Sequence, residues 1–136
     1  MRDPDVIIGG NESPYLFRWF LIPRNRFCNI YLHKFLRSDD DRAFHDHPWW
    51  SLSFLLKGRY LNVTPAGRRL RRRFSLMWMR ATDSHRVELI DETPVWTLFF
   101  TGPKVREWGF HCPQGFVHWR KFTTPNGNAV GKGCDE

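Results

Sequence analysis

The chain has no apolar run approaching the roughly 20 residues that span a bilayer, and its first ten residues lack the apolar block of a secretion signal. The expectation is a cytoplasmic protein that does not engage membranes. Cysteine is scarce: Cys28, Cys112 and Cys134 are odd in number, widely spaced and form no CxxC pair. That argues against a disulfide scaffold and a cysteine-rich zinc site, and predicts three free thiols. No segment longer than about 12 residues keeps a helical period without Gly, Pro or a β-branched interruption, which argues against a helical bundle. Acidic residues are outnumbered, 14 against 21 basic ones, for a net charge of +7.

What the sequence does hold is aromatic. Seven Trp, three Tyr and twelve Phe in 136 residues favour strands and ligand-lining walls over an Ala/Leu-rich bundle. Hydrophobic residues at 41% and charged residues at 26% are those of a chain that builds a core, and the length suits one domain. Short β-prone segments recur at intervals of about 8–12 residues. They are Tyr15–Ile22, Asn29–Leu36, Trp49–Leu56, Arg59–Thr64, Arg68–Met79, His85–Ile90 and Val95–Thr101. This cadence predicts an antiparallel sandwich or small barrel over residues 1–122, with Val6–Ile8 available as a short edge strand. Residues 108–116 are rich in turn residues and aromatics and are placed as a cover over an opening. Residues 123–136 are Gly- and Asn-rich and predict a flexible tail.

Five of the sixteen arginines lie in Arg68-Arg69-Leu70-Arg71-Arg72-Arg73. A solvated loop or charged strand edge is the first reading, and docking of nucleic acid or another acidic partner the second. The run carries no base-reading motif.

The informative segment is Phe44-His45-Asp46-His47-Pro48-Trp49-Trp50. Histidines at i and i+2 of a strand share a face, so both imidazoles can converge on one ion; an accidental surface pair has the same spacing. His85 opens a later strand, and in an antiparallel barrel that strand can return beside the first pair as a third ligand. Taken alone, His85 also suits a hydrogen-bonded strand end.

Together these residues resemble the motifs of the cupin superfamily. His45, His47 and Gly58 match the first motif and His85 the second, while Ser51 falls where that motif usually carries Glu, and Arg80 and Thr82 fall on the usual Pro and Gly of the second. The resemblance implies a single-domain, all-β jelly-roll barrel, the antiparallel double-stranded β-helix, with metal ligands His45, His47 and His85. A three-His set is that of the thiol dioxygenase branch, including cysteine dioxygenase, and His-Asp-His resembles theirs. It implies one divalent transition metal, with Fe(II) favoured and Zn, Ni, Mn or Cu able to take the same ligands. The expected function is a non-haem iron oxygenase acting on a small molecule such as a thiol bearing a carboxylate. A non-catalytic cupin that binds a small ligand, or nucleic acid through its arginines, is the alternative, and a homodimer is compatible with both.

Several side chains are expected to complete such a site. Arg80 shares a polar loop with His85 and leads Arg26, Arg42 and Arg86 as a carboxylate clamp. His111, among Trp108, Phe110 and Cys112, is the candidate acid or base at the pocket edge, with a packing role as the equal alternative. Asp46 should face away from the ligands and orient them. Trp49, Trp50, Trp78 and Trp96 are candidates for the pocket wall. His33 is expected to be a non-ligand and His118 a structural residue.

Overall fold

In the computed structural model of the chain, the described residues are 2–8, 14–38, 44–91, 93–112 and 114–123. The expected tail lies outside them except for Thr123, as do Arg42 and Cys134. In chain order the elements are β1 (Val6–Ile8), β2 (Leu16–Phe20), β3 (Asn29–Phe35), β4 (Phe44–His45), β5 (Ser51–Lys57), β6 (Tyr60–Thr64) and β7 (Gly67–Arg71). There follow β8 (Leu76–Met79), β9 (Arg86–Leu89), β10 (Val95–Thr101), β11 (Gly109–Cys112), β12 (Gly115–His118) and the one-turn helix α1 (Trp119–Phe122). Among the described residues no helix is long and apolar enough to cross a membrane.

A six-stranded antiparallel sheet of order β1-β2-β3-β10-β5-β8 forms one wall. Two three-stranded sheets, β12-β11-β4 and β7-β6-β9, form the rest. The all-β jelly-roll barrel expected from the sequence is the architecture found. The core cluster Leu55, Tyr60, Val87, Leu89 and Val95, with Phe35 against it, draws residues from both the large sheet and β6–β9, so it fastens them face to face.

Inward positions change character along each strand. Leu55 of β5 gives way to Ser53 and Ser51, Val95 of β10 to Thr97 and Thr101, Tyr60 of β6 to Asn62, and Leu89 and Val87 of β9 to His85; all are buried. One end of the barrel is therefore sealed by apolar packing and the other is lined with polar groups. Burying polar side chains costs free energy unless they find partners, so the polar half is where a functional site is expected.

The segment Arg68–Met79 is two strands rather than one. Phe74 has φ 69°, and the turn around it closes through Phe74 N–H to Leu55 O (2.7 Å) and Ser75 N–H to Arg72 O (3.2 Å). The turn carries the chain from pairing with β6 to pairing with β5. Arg71 also departs from the solvated-run reading. It is buried, and its guanidinium donates to Ser53 Oγ (3.0 Å), Tyr60 Oη (2.9 Å) and the carbonyls of Ser53 (3.0 Å) and Ser75 (2.9 Å). Cys28 is a free, exposed thiol as expected, whereas Cys112 is disulfide-bonded, against the expectation of three free thiols.

Candidate metal centre

His45 ends β4 and is joined to His85 by a two-way backbone bridge. His45 N–H donates to His85 O (2.9 Å) and His85 N–H to His45 O (3.0 Å). His47 lies just past β4, where its N–H donates to Ala81 O (3.2 Å), tying it to the loop that leads to His85. One ring nitrogen from each of His45, His47 and His85 lies within 4.8 Å of the others. An ion about 2.1 Å from each nitrogen needs them roughly 3–4 Å apart, so side-chain adjustments of under about 1 Å complete the set.

The protonation state favours ligation. Burial first, and then electrostatic coupling to the neighbouring histidines and to nearby arginines, hold His47 and His85 well below the usual imidazole range, so both are neutral near pH 7. His85 Nδ1 is 2.6 Å from Asn62 Oδ1. An amide oxygen only accepts, so Nδ1 carries the proton and Nε2 turns its lone pair to the cluster. His47 Nδ1 is buried with no hydrogen-bond partner, the kind of unmet donor-set atom that a bound ion satisfies. The three side chains fit a divalent transition metal on these grounds.

Around the cluster the walls are aromatic. Trp49 stacks on His47 (centroids 5.1 Å) and meets Phe99 edge-on (5.5 Å), while Phe110 of β11 covers His45 (5.9 Å). Trp50 and Trp78 instead stack on each other (5.1 Å), and Trp96 on Trp19 (5.6 Å), all on the outer face of the large sheet. Of the four expected wall tryptophans, the structure brings Trp49 to the site.

Arg18 is a residue near the site that sequence reasoning missed. On β2 it points into the barrel, where its Nε–H donates to His33 Nε2 (2.9 Å) and its guanidinium lies over Tyr31 (4.5 Å to the centroid). His33, itself buried, stacks on Phe99 (4.9 Å), the ring that also contacts Trp49. Burial and the nearby Arg18 cation hold His33 well below the ordinary imidazole range, which keeps it a neutral acceptor for Arg18. The same cation contributes to lowering His47, so the guanidinium acts electrostatically on the histidine cluster.

The arginines expected to clamp a substrate lie elsewhere. The Arg80 side chain is 75% exposed and pairs with Asp83 (3.1 Å), Arg86 pairs with Glu88 (2.7 Å), and Arg26 is exposed beside Phe27 (5.3 Å). Arg42 lies outside the described residues. His111 is likewise not at the pocket edge. Neighbours on a strand face opposite sides, so with Phe110 over His45 the His111 ring points away from the cluster, where its Nε2–H donates to Asp46 Oδ2 (2.9 Å). His118 caps α1, its Nδ1 accepting from Arg120 N–H (3.1 Å).

Asp46 faces away from the ligands as expected. Its carboxylate is 1% exposed and accepts from His111, from Gly109 N–H (2.9 Å) and from Arg106 (3.0 Å). Arg106 also reaches the carbonyls of His47 (3.2 Å) and Ala81 (3.4 Å). Asp46 and Arg106 thus fasten the β11–β12 hairpin to the ligand segment, and they position the ligands without touching the cavity.

No protein-family model and no curated protein matches the sequence. Solved structures do match in fold. A double-stranded β-helix protein from Klebsiella pneumoniae aligns at TM-score 0.60 and 9% identity over 81% of this chain and 95% of its own. The DMSP lyase DddQ of Ruegeria pomeroyi aligns at 0.60 and 15% identity over 79% of this chain and 57% of its own. The cupin domain of an XRE-family transcriptional regulator from Enterobacter cloacae aligns at 0.53 and 8% identity over 65% and 96%. The fold of this chain is the cupin double-stranded β-helix, a scaffold shared by an enzyme and a regulator, so function has to be argued from the site.

Proposed function

We propose that the chain is a metal-dependent cupin enzyme, a non-haem iron oxygenase acting on a small anionic molecule, with a thiol bearing a carboxylate as the first candidate. The observation that carries this reading is the convergence of three imidazoles, with His47 and His85 held neutral, beside an aromatic wall whose Phe99 also stacks on His33, the partner of the Arg18 guanidinium. His45, His47 and His85 would hold the ion, which when bound supplies the oxygen-activating redox chemistry and leaves positions for exchangeable ligands.

The protein's own groups do the rest. Arg18, oriented by His33 and Tyr31, offers a fixed cation to a substrate carboxylate. Trp49, Phe99 and Phe110 exclude water, which strengthens that pairing. Ser51, the first residue of β5, stands where related motifs carry an anionic ligand; without that charge the centre stays more positive and favours an anionic donor such as a thiolate. Oxygen uptake and product mass, followed with ferrous iron and a panel of small thiol carboxylates, test the reading, with His85→Ala as the control for free-iron oxidation. Uptake that depends on substrate and on His85 supports it. If uptake never exceeds the control with a thiol but does with another substrate class, the thiol assignment falls.

A further inference from the structure

The arginine run and the tryptophans on the outer face play no part in the metal site, and they meet on one surface. Strand β8 is an edge of the large sheet, and it turns Leu76 and Trp78 outward at 65% and 58% exposure, beside Phe74 at 61%. Exposing three large apolar side chains in a row costs solvation that a monomer ordinarily avoids. Trp50 stacks on one face of Trp78, and because β8 is the sheet edge, no strand of the described residues covers the other.

Next to this row the surface is cationic. A recess of about 360 Å³ is lined, among the described residues, by Gly58, Arg59, Arg72, Arg73, Ile90, Asp91 and Thr93, which bring three guanidinium groups against one carboxylate. Arg73 belongs to both features. Its Nε–H donates to Leu56 O (3.0 Å) and its guanidinium lies over Phe74 (4.5 Å), which in turn stacks on Phe54 (6.2 Å). The cation is therefore held at the junction between recess and aromatic row instead of sweeping through solvent. Past the turn that holds Arg73 and Phe74, β8 is extended and continues the row with Leu76 and Trp78, so the held cation and the exposed indole lie along one sheet edge.

We propose that this face binds single-stranded nucleic acid, with Trp78 as a base-stacking platform and Arg59, Arg72 and Arg73 as phosphate contacts. An open indole face suits a planar base, and guanidinium groups, that of Arg73 held in place, suit phosphate oxygens. Paired bases in a duplex leave no face free to stack. The net charge of +7 adds attraction toward a polyanion. This inference needs no metal.

The test is fluorescence anisotropy of a labelled 15-mer of oligo(dT), and of its ribose counterpart, titrated with full-length protein across a salt series. Three phosphate contacts predict a log–log salt slope near −2 for a single strand. Trp78→Ala should weaken binding about tenfold or more with the slope unchanged. Arg72→Gln with Arg73→Gln should weaken it and flatten the slope by about 1.4. Trp78 is more than half exposed, so the variant should keep its far-UV circular dichroism, and His85→Ala should bind like the parent. Retained binding in His85→Ala alongside lost metal separates this face from the metal reading. No binding, equal binding of a duplex 15-mer, or no effect of Trp78→Ala would overturn the proposal. So would poly-glutamate competing as well as oligo(dT), or sedimentation showing that Trp78 instead drives self-association.

Discussion

Replacing Asp46 by Ala removes the side chain that reinforces the β4–β11 pairing between the hairpin and the ligand segment, and its cost can be worked from the contacts. Gly109 N–H loses its buried acceptor (2.9 Å), and an orphaned buried donor costs about 1–3 kcal/mol. Arg106 and His111 lose a shared carboxylate, but their side chains are 30% and 43% exposed and can rehydrate, so their combined loss is held to about 1 kcal/mol. The expected destabilisation is about 2–4 kcal/mol. For 136 residues the unfolding entropy near 60 °C is about 0.29 kcal/mol/K, which makes each kcal/mol worth about 3.5 °C. Thermal unfolding with chelator present should therefore show Tm lowered by about 7–14 °C. Chelator keeps any loss of metal stabilisation out of the measurement. A variant melting within about 3 °C of the parent would refute the assignment of Asp46 as the hairpin's anchor.

Asn62→Leu should leave the fold intact but free the His85 ring and lose its Nδ1 acceptor, lowering metal affinity about 10- to 100-fold by competition titration; unchanged affinity would count against the tautomer assigned to His85. His33, His47 and His85 have folded-state pKa values depressed by burial, so between those values and the unfolded value of about 6.5 the unfolded chain binds more protons. Metal-free protein should thus hold its full stability above about pH 6.5 and lose it as pH falls toward the folded pKa values, and a Tm that is flat from about pH 7.5 to 5.5 would contradict this. Arg18→Met should raise KM for an anionic substrate by about tenfold or more while metal binding is kept; an unchanged KM would remove Arg18 from substrate recognition.

The barrel and the three histidines were legible because both rest on short-range rules. Strand cadence and turn residues set the fold class, and i, i+2 spacing set the shared side of His45 and His47. Arg18 was hidden because β2 buries both faces, with Leu16 on one and Trp19 on the other, so alternation does not say which way a lone arginine points. Asn62 and Arg71 were missed for a different reason: their partners, His85 and Ser53, are 23 and 18 residues away, and pairing of that kind follows from register. His111 was misplaced through nearness to Phe110 in sequence. Adjacency along a strand means opposite faces, and β11 was read as an irregular cover rather than a strand. Arg80 was drawn toward His85 by their common loop, yet Asp83 in that loop satisfies it first, its carboxylate accepting from both the Arg80 backbone N–H (2.8 Å) and its guanidinium.

The most direct measurement is the metal content of protein purified without an affinity tag, by inductively coupled plasma mass spectrometry, for the parent and for His45→Ala, His47→Ala, His85→Ala and His118→Ala. A three-His centre predicts about one divalent transition metal per chain in the parent and in His118→Ala, retained after mild dialysis, and a sharp loss in each of the other three. A parent that neither carries nor takes up such an ion, or three cluster variants that retain it as the parent does, would contradict the metal centre.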